Sequence, residues 1–188
     1  EKEDNKPPEP IPDDAEIIQG GGEVRRKWLD GVISQYDRSY LEKLIDYNKA
    51  LVQRNNLFKY FAENRVWDLS MIEPWDVRLA PNAIAISEAR KSFIEKFIPV
   101  FDDVYKEISG GNESVSLDYL TKVDGDEDSF LELLNGSRDD DRKLRRTTCG
   151  THKDDLAFKI GNYPLKKFGS QGQQKTFLVA LRLAQLTF

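Results

Sequence analysis

Two stretches of this chain repeat their apolar residues at steps of three and four, and that periodicity constrains the fold more than any other feature. Tyr40, Leu44, Tyr47, Leu51 and Phe58 lie on one face of a helix that Asp37 can cap and that runs to about Asn64. Ile86, Ala89, Phe93, Phe97, Val100, Val104 and Ile108 mark a second long helix, ending at the Gly110-Gly111-Asn112 turn, with Pro99 as a bend. Between them, Trp67 to Leu79 reads as a shorter helix broken near Pro74 and Pro81. Long helices with short connections bury their stripes against each other, so an antiparallel hairpin or small bundle is expected. Upstream, EVRRKWLDGVISQY forms one more helix from Glu23, with Gly31 as a weak point. Tyrosines and tryptophans at this spacing belong to the core.

The texture changes after Gly111. SVSLDYLT (114–121) alternates and reads as a strand. EDSFLELLNGSRDDDRKLRR is helical with a break near Gly136. RTTCG (146–150) reads as a strand, and DLAFKI, Gly161-Asn162 and YPLKKF as a β-hairpin. A last helix starts at Ser170 and is apolar on most sides, so it calls for burial all round. It meets Phe188 with no glycine cap or polar tail, which is expected of an excerpt from a longer protein. The class is α+β and predominantly helical. An extended acidic, proline-rich lead-in is expected over 1–22, with Gly20 to Gly22 as a turn, a helical unit over 23–112, and a mixed unit over 113–188.

Charge is divided along the chain. Residues 1–16 hold seven acidic and two basic side chains, a surplus equal to the whole net charge of −5. Residues 142–188 carry ten Lys and Arg against Asp154 and Asp155 alone. That basic end suits phosphate, although a solvated mixed surface is the plainer reading. One cysteine, Cys149, excludes an internal disulfide, and one histidine, His152, excludes any site needing two. Such usage suits a reducing, cytoplasmic compartment. No run of about 18 apolar residues can span a membrane, and the acidic start is no signal peptide.

The stretch GSQGQQKTF (169–177) opens the final helix. Ser170 and Gln173 have the spacing of a capping box. The same geometry aims free N–H groups and partial positive charge outward, which suits an anion. Gly172 admits close approach to the backbone, and Lys175 adds charge.

These residues carry a resemblance. SQGQQKTFLVALRLAQ resembles the ABC-type signature motif of the RecF family of DNA replication and repair proteins. IIQGGGEVRRKWLDGVISQYDRSYLEKLIDYNKALVQRNNL is similar to that family's Gly-Gly…Arg-Arg run and its following helix, and GTHKDDLAF resembles a third family stretch, with Thr151 for proline and Lys153 for arginine. The resemblance covers about 13–188. It implies an SMC-related ATPase whose heads dimerise over ATP and Mg²⁺, each nucleotide on the Walker A loop of one subunit and under the signature of the other. Ser170 would then bind the γ-phosphate in trans, Gly172 would offer its N–H, Gln171, Gln173 and Gln174 would shape the contact, and Lys175 would add potential. Residues 23–112 would be the lid or arm and 113–188 the returning head lobe. The resemblance also implies DNA binding at single-strand/double-strand junctions, RecR and RecO as partners, and work in gap repair, replication restart and the SOS response.

No G-x-x-x-x-G-K-[ST] occurs in the 188 residues. FIPVFDD (97–103) imitates a Walker B strand, but Pro99 and the helical spacing of its neighbours exclude it. The chain alone is therefore expected to bind ATP poorly and not to turn it over. Arg142, Lys143, Arg145, Arg146, Lys166 and Lys167 are the DNA candidates. His152, Lys153, Asp154 and Asp155 admit three readings: a turn whose carboxylates cap backbone or pair with Lys153, a nucleotide or dimer interface, or a metal site. Arg25 and Arg26 either brace the arm or meet DNA, and bracing is favoured. The competing functions are another SMC-like or AAA-like head ATPase, a helical interaction module, and a metal-dependent nuclease on His152, Asp154 and Asp155.

Overall fold

A computed structural model describes residues 14–187. Eleven regular elements follow in order: α1 (Asp14–Gln19), α2 (Gly22–Tyr36), α3 (Arg38–Asn64), α4 (Glu73–Ser109), β1 (Val115–Leu120), α5 (Glu127–Gly136), α6 (Arg138–Leu144), β2 (Asp155–Ile160), β3 (Tyr163–Pro164), α7 (Leu165–Phe168) and α8 (Gln171–Thr187). Short 3₁₀ turns occupy Leu69–Met71 and Thr151–Lys153.

The long pair forms as the periodicity predicts. Asp37 accepts the Tyr40 N–H at 2.9 Å and starts α3, which Arg65 ends in the left-handed conformation. Contacts from α3 to α4 run in opposite order, Tyr40 to Arg90, Asp46 to Arg78 and Arg54 to Asp76, so the two are antiparallel. The separate helix expected over 67–79 is absent. A 3₁₀ turn takes its first part, and the rest belongs to α4, whose 37 residues span about 55 Å. Pro74 falls in the first turn, where a missing N–H costs nothing. Pro81 and Pro99 lie inside the helix. Around Pro81, the buried Leu79, Ala80, Ala83 and Ile86 hold the backbone helical despite one lost hydrogen bond, so tertiary packing overrides the local breaker.

Other departures have equally local causes. The extended lead-in expected over 1–22 fails over 14–19, where α1 forms because Ile17 and Ile18 are buried in the core, and the expected turn narrows to Gly20 and Gly21. The reading of 1–12 lies outside the described residues. RTTCG is no strand. The Thr147 N–H and hydroxyl go to the Asn55 side chain and those of Thr148 to Asp141, so this backbone is satisfied by side chains rather than by a sheet. β3 keeps only two residues, since Pro164 has no N–H for the ladder, and LKKF turns helical to bury Leu165.

The antiparallel sheet has the order β1-β2-β3, with Val115 opposite Ile160 and Leu120 opposite Asp155. α8 packs on α4, which also packs on β1, and Phe177 of α8 reaches the sheet. Phe177 meets Phe158 at 5.0 Å and Phe101 at 4.9 Å. One apolar core includes residues from both sides of position 112, from Ile17 to Ala184. α8 buries one face through Phe177, Ala180, Leu181 and Ala184. Its outer residues Val179, Leu183 and Leu186 are exposed, so burial all round is not met among the described residues.

Two buried arginines join the long helices to the segment that follows α6. Arg54, 0% exposed, donates to Asp76 and Asp141, each at 2.6 Å, and to Thr147 at 2.9 Å. Arg90 donates to Asp30 at 2.8 Å, Asp154 at 3.0 Å and the Thr151 carbonyl at 2.9 Å. Removing one partner of a buried pair leaves the other charge uncompensated. Arg54→Ala is therefore expected to lower stability in urea unfolding by about 3–5 kcal/mol. Asp46→Ala, which loses only a half-exposed pair to Arg78 at 3.8 Å, should cost no more than about 0.5 kcal/mol. Equal effects would refute the assignment.

Candidate functional site

The N-terminus of α8 stands at the surface. Ser170, Gln171, Gly172 and Lys175 are exposed, and Gln173 and Gln174 are half-buried. The capping box closes both ways: the Ser170 N–H donates to Gln173 Oε1 at 2.8 Å, and the Gln173 N–H donates to Ser170 Oγ at 3.2 Å. The hydroxyl proton of Ser170 finds no acceptor among the described residues. A Cβ added to Gly172 would meet only Ser170 Oγ at 3.8 Å, so the surface there is open to an approaching group.

The glutamines differ in duty. Gln174 donates to the Gly169 carbonyl at 3.0 Å and accepts from Gln19 of α1 at 2.7 Å, which ties the helix start to the entry segment. Gln173 donates to Glu113 Oε1 at 2.7 Å, and Glu113 Oε2 accepts from Tyr105 at 2.7 Å. Sequence reasoning misses Gln19, Tyr105 and Glu113. Gln173 and Glu113 are 60 positions apart, and no motif connects them. Among the described residues, Gln171 and Lys175 have no polar partner holding them away from solvent.

The His152 stretch is structural in its contacts. His152 Nε2 faces the Thr147 carbonyl at 3.1 Å, so it carries the proton, and Nδ1 accepts from Tyr47 at 2.8 Å. Burial and the nearby Lys153 and Arg26 outweigh the bond to Thr147 and bring the imidazole down to about 4. Burial also pushes Tyr47 up to about 12. Gly150, at φ +121°, lies where a Cβ would clash with the Tyr47 hydroxyl. Asp154 pairs with Arg90 and accepts from Tyr119, while Asp155 takes both arms of Arg25 at 2.7 and 2.9 Å. The carboxylates thus pair with Arg90 and Arg25, not with the expected Lys153, which is exposed. All three candidate metal ligands are engaged by protein, and the described residues hold no group of three His, Cys, Asp or Glu set to bind a metal. Arg25 and Arg26 brace α2, through Asp155 and the Asp154 carbonyl respectively.

The basic candidates fall into two groups. Arg142, Lys143, Arg145 and Arg146 are exposed at the end of α6, with Arg142 over the Trp67 ring at 4.8 Å and Lys143 near Asp140 at 3.9 Å. Lys166 and Lys167 are exposed on α7, where Lys166 donates to the Gln19 carbonyl and Lys167 lies over Phe168. α6 packs on α3 and α5, whereas α7 packs on β2, β3 and α1, so no packing neighbour is shared.

An exposed Ser-Gln-Gly helix start, a small antiparallel sheet and a long antiparallel helix pair define the class of the fold as predominantly helical α+β. No family model matches the chain. The DNA replication and repair protein RecF of Flavobacterium johnsoniae is 48% identical over 94% of the chain and 49% of that protein, and RecF of Bacteroides thetaiotaomicron is 45% identical over 94% and 47%. A solved structure of the recombination mediator protein RecF with ATP, in the RecFOR pathway, superimposes with a TM-score of 0.85 at 32% identity, covering 94% of the chain and 48% of that structure. The chain belongs to the RecF family. It spans about half the length of the curated relatives it matches.

A neutral buried histidine makes stability depend on pH. The folded value near 4 lies below the ordinary 6.5. Between them the unfolded chain takes up a proton that the folded chain does not, so the contribution is complete above about 6.5 and is lost as pH falls toward 4, up to about 3 kcal/mol. His152→Gln should unfold less steeply than wild type between pH 7 and 4.5. Identical pH dependence in urea titrations would refute the neutral imidazole.

Proposed function

We propose that this chain supplies the signature half of a composite ATP site in a RecF-type DNA repair ATPase. The single observation that carries the reading is the open start of α8, where an exposed Ser170 has an unused hydroxyl proton beside an unobstructed Gly172. That donor set fits a phosphate and supports the assignment. Bound there, ATP with Mg²⁺ supplies the transferable phosphoryl group and its charge.

The chain's own residues act by position. Ser170 donates its hydroxyl proton outward, since its oxygen is already engaged by the Gln173 N–H. Gly172 leaves backbone N–H groups open at the positive end of a 17-residue helix. Gln171 and Lys175 line the approach. Such groups stabilise charge through dipoles already in place and need no covalent step. The nucleotide belongs to a second copy, which makes the active form an ATP-dependent dimer. Residues 23–112 act as the arm and 113–188 as the head lobe.

In the protein extended to its relatives' full length, Ser170→Ala is expected to lower kcat for ATP by on the order of a hundredfold. The isolated 188-residue chain should show no turnover. Wild-type kcat in the variant would overturn the reading.

The wider role proposed is recombinational gap repair and replication restart on DNA junctions, alongside RecR- and RecO-like partners. The mediator role stated for the ATP-bound structural relative supports it. Arg142, Lys143, Arg145, Arg146, Lys166 and Lys167 are the proposed phosphate contacts, and their exposure supports this. Junction DNA affinity should fall steeply with salt, and Lys166→Glu with Lys167→Glu should flatten the slope. Unchanged binding and slope would remove these two lysines from the interface.

A further inference from the structure

Glu113 has a place in the molecule that the signature motif itself does not explain. It follows the two left-handed glycines, Gly110 and Gly111, at the end of α4, and precedes β1. Its two carboxylate oxygens divide their duties. Oε2 accepts from Tyr105 of α4, and Oε1 accepts from the Gln173 side chain of α8, both at 2.7 Å. Tyr105 is buried at 1% exposure, with its ring 6.1 Å from Phe101 and 6.3 Å from Phe177. The carboxylate is thus anchored on one side by the core of the arm helix and holds the signature helix on the other.

Chemistry then determines the orientation of Gln173. A carboxylate only accepts, so the amide nitrogen must face Glu113. The amide oxygen is left to face the Ser170 N–H, which only donates, and it accepts from it at 2.8 Å. A flipped amide would set oxygen against carboxylate and nitrogen against N–H, losing both bonds. With the amide held, the capping box holds the Ser170 backbone, the Gln173 N–H occupies Ser170 Oγ, and the hydroxyl proton is left for an outside acceptor. The bonds from Gln173 and Tyr105 hold the Glu113 carboxyl below the ordinary range, so it remains charged at neutral pH.

We infer that Glu113 is a positioning residue for the signature motif, linking the end of the arm helix to the orientation of Ser170 through Gln173. This rests on the reading of Ser170 given above. Its consequence is mechanical as well as local. A movement of the last turn of α4 relative to α8 shifts Glu113, releases the Gln173 amide and loosens the Ser170 donor, so the arm's position is read at the phosphate contact without touching it.

The test uses the protein at its relatives' full length and separates kcat from KM. Glu113→Ala is expected to lower kcat for ATP about tenfold. KM should stay within about twofold, because the phosphate-cradling loop lies on the other subunit. Glu113→Gln should keep kcat within about threefold of wild type, since its amide oxygen can accept from Gln173 while its NH₂ faces the Tyr105 oxygen. Tyr105→Phe, which keeps the ring packing, should lower kcat about threefold and decides the matter if Glu113→Ala does not fold. Ser170→Ala runs beside them. If Ser170→Ala is silent, the signature reading falls and this inference with it. If Ser170→Ala loses activity while Glu113→Ala and Tyr105→Phe match wild type, the positioning role is overturned and the signature reading stands. Equal loss in Glu113→Ala and Glu113→Gln with a raised KM would also overturn it.

Discussion

Arg90 is 2% exposed, deep among apolar side chains, and a charge there must be answered on the spot. Asp30 of α2 and Asp154 at the entry to β2 answer it, with the Tyr40 hydroxyl and the Thr151 carbonyl taking further donors. Arg54 repeats the arrangement farther along α3 with Asp76, Asp141 and Thr147. Each guanidinium collects partners from elements far apart in sequence. Together they fasten the segment 141–154 to α3 and α4, and that segment delivers the chain into β2 of the sheet.

The pairs also explain why the carboxylates of so charged a stretch as 152–155 are already paired. Its carboxylates are consumed by Arg90 and Arg25, and its histidine is held neutral between Tyr47 and Thr147. The same residues that could suggest a metal or a nuclease centre act as a clasp. By contrast, Ser170 and Gly172 are left with unused hydrogen-bonding capacity at the surface.

The start of α8 is held from two directions. Gln174 bonds to α1 and to the turn before α8, and Gln173 donates to Glu113 just after α4. Two adjacent glutamines that look equivalent in sequence therefore report on different parts of the molecule. A helix N-terminus fixed in this manner presents its donors in one geometry.

Much of this was legible in the chain itself. Apolar spacing located α3 and the greater part of α4, Asp37 announced its cap, and the Ser170–Gln173 spacing announced the capping box, because these depend on neighbours within four residues. What lies across the fold was not legible. That Pro81 stays helical, that Thr147 and Thr148 satisfy side chains instead of a strand, that Leu165 ends a hairpin to reach the core, and that Glu113 holds Gln173 all follow from partners tens of residues away. The sequence by itself determined α2, α3, the greater part of α4, the motif and the family resemblance. Only the tertiary structure decided which charges are spent on each other and which donor remains open, because burial and pairing are properties of the packed chain and no local pattern records them.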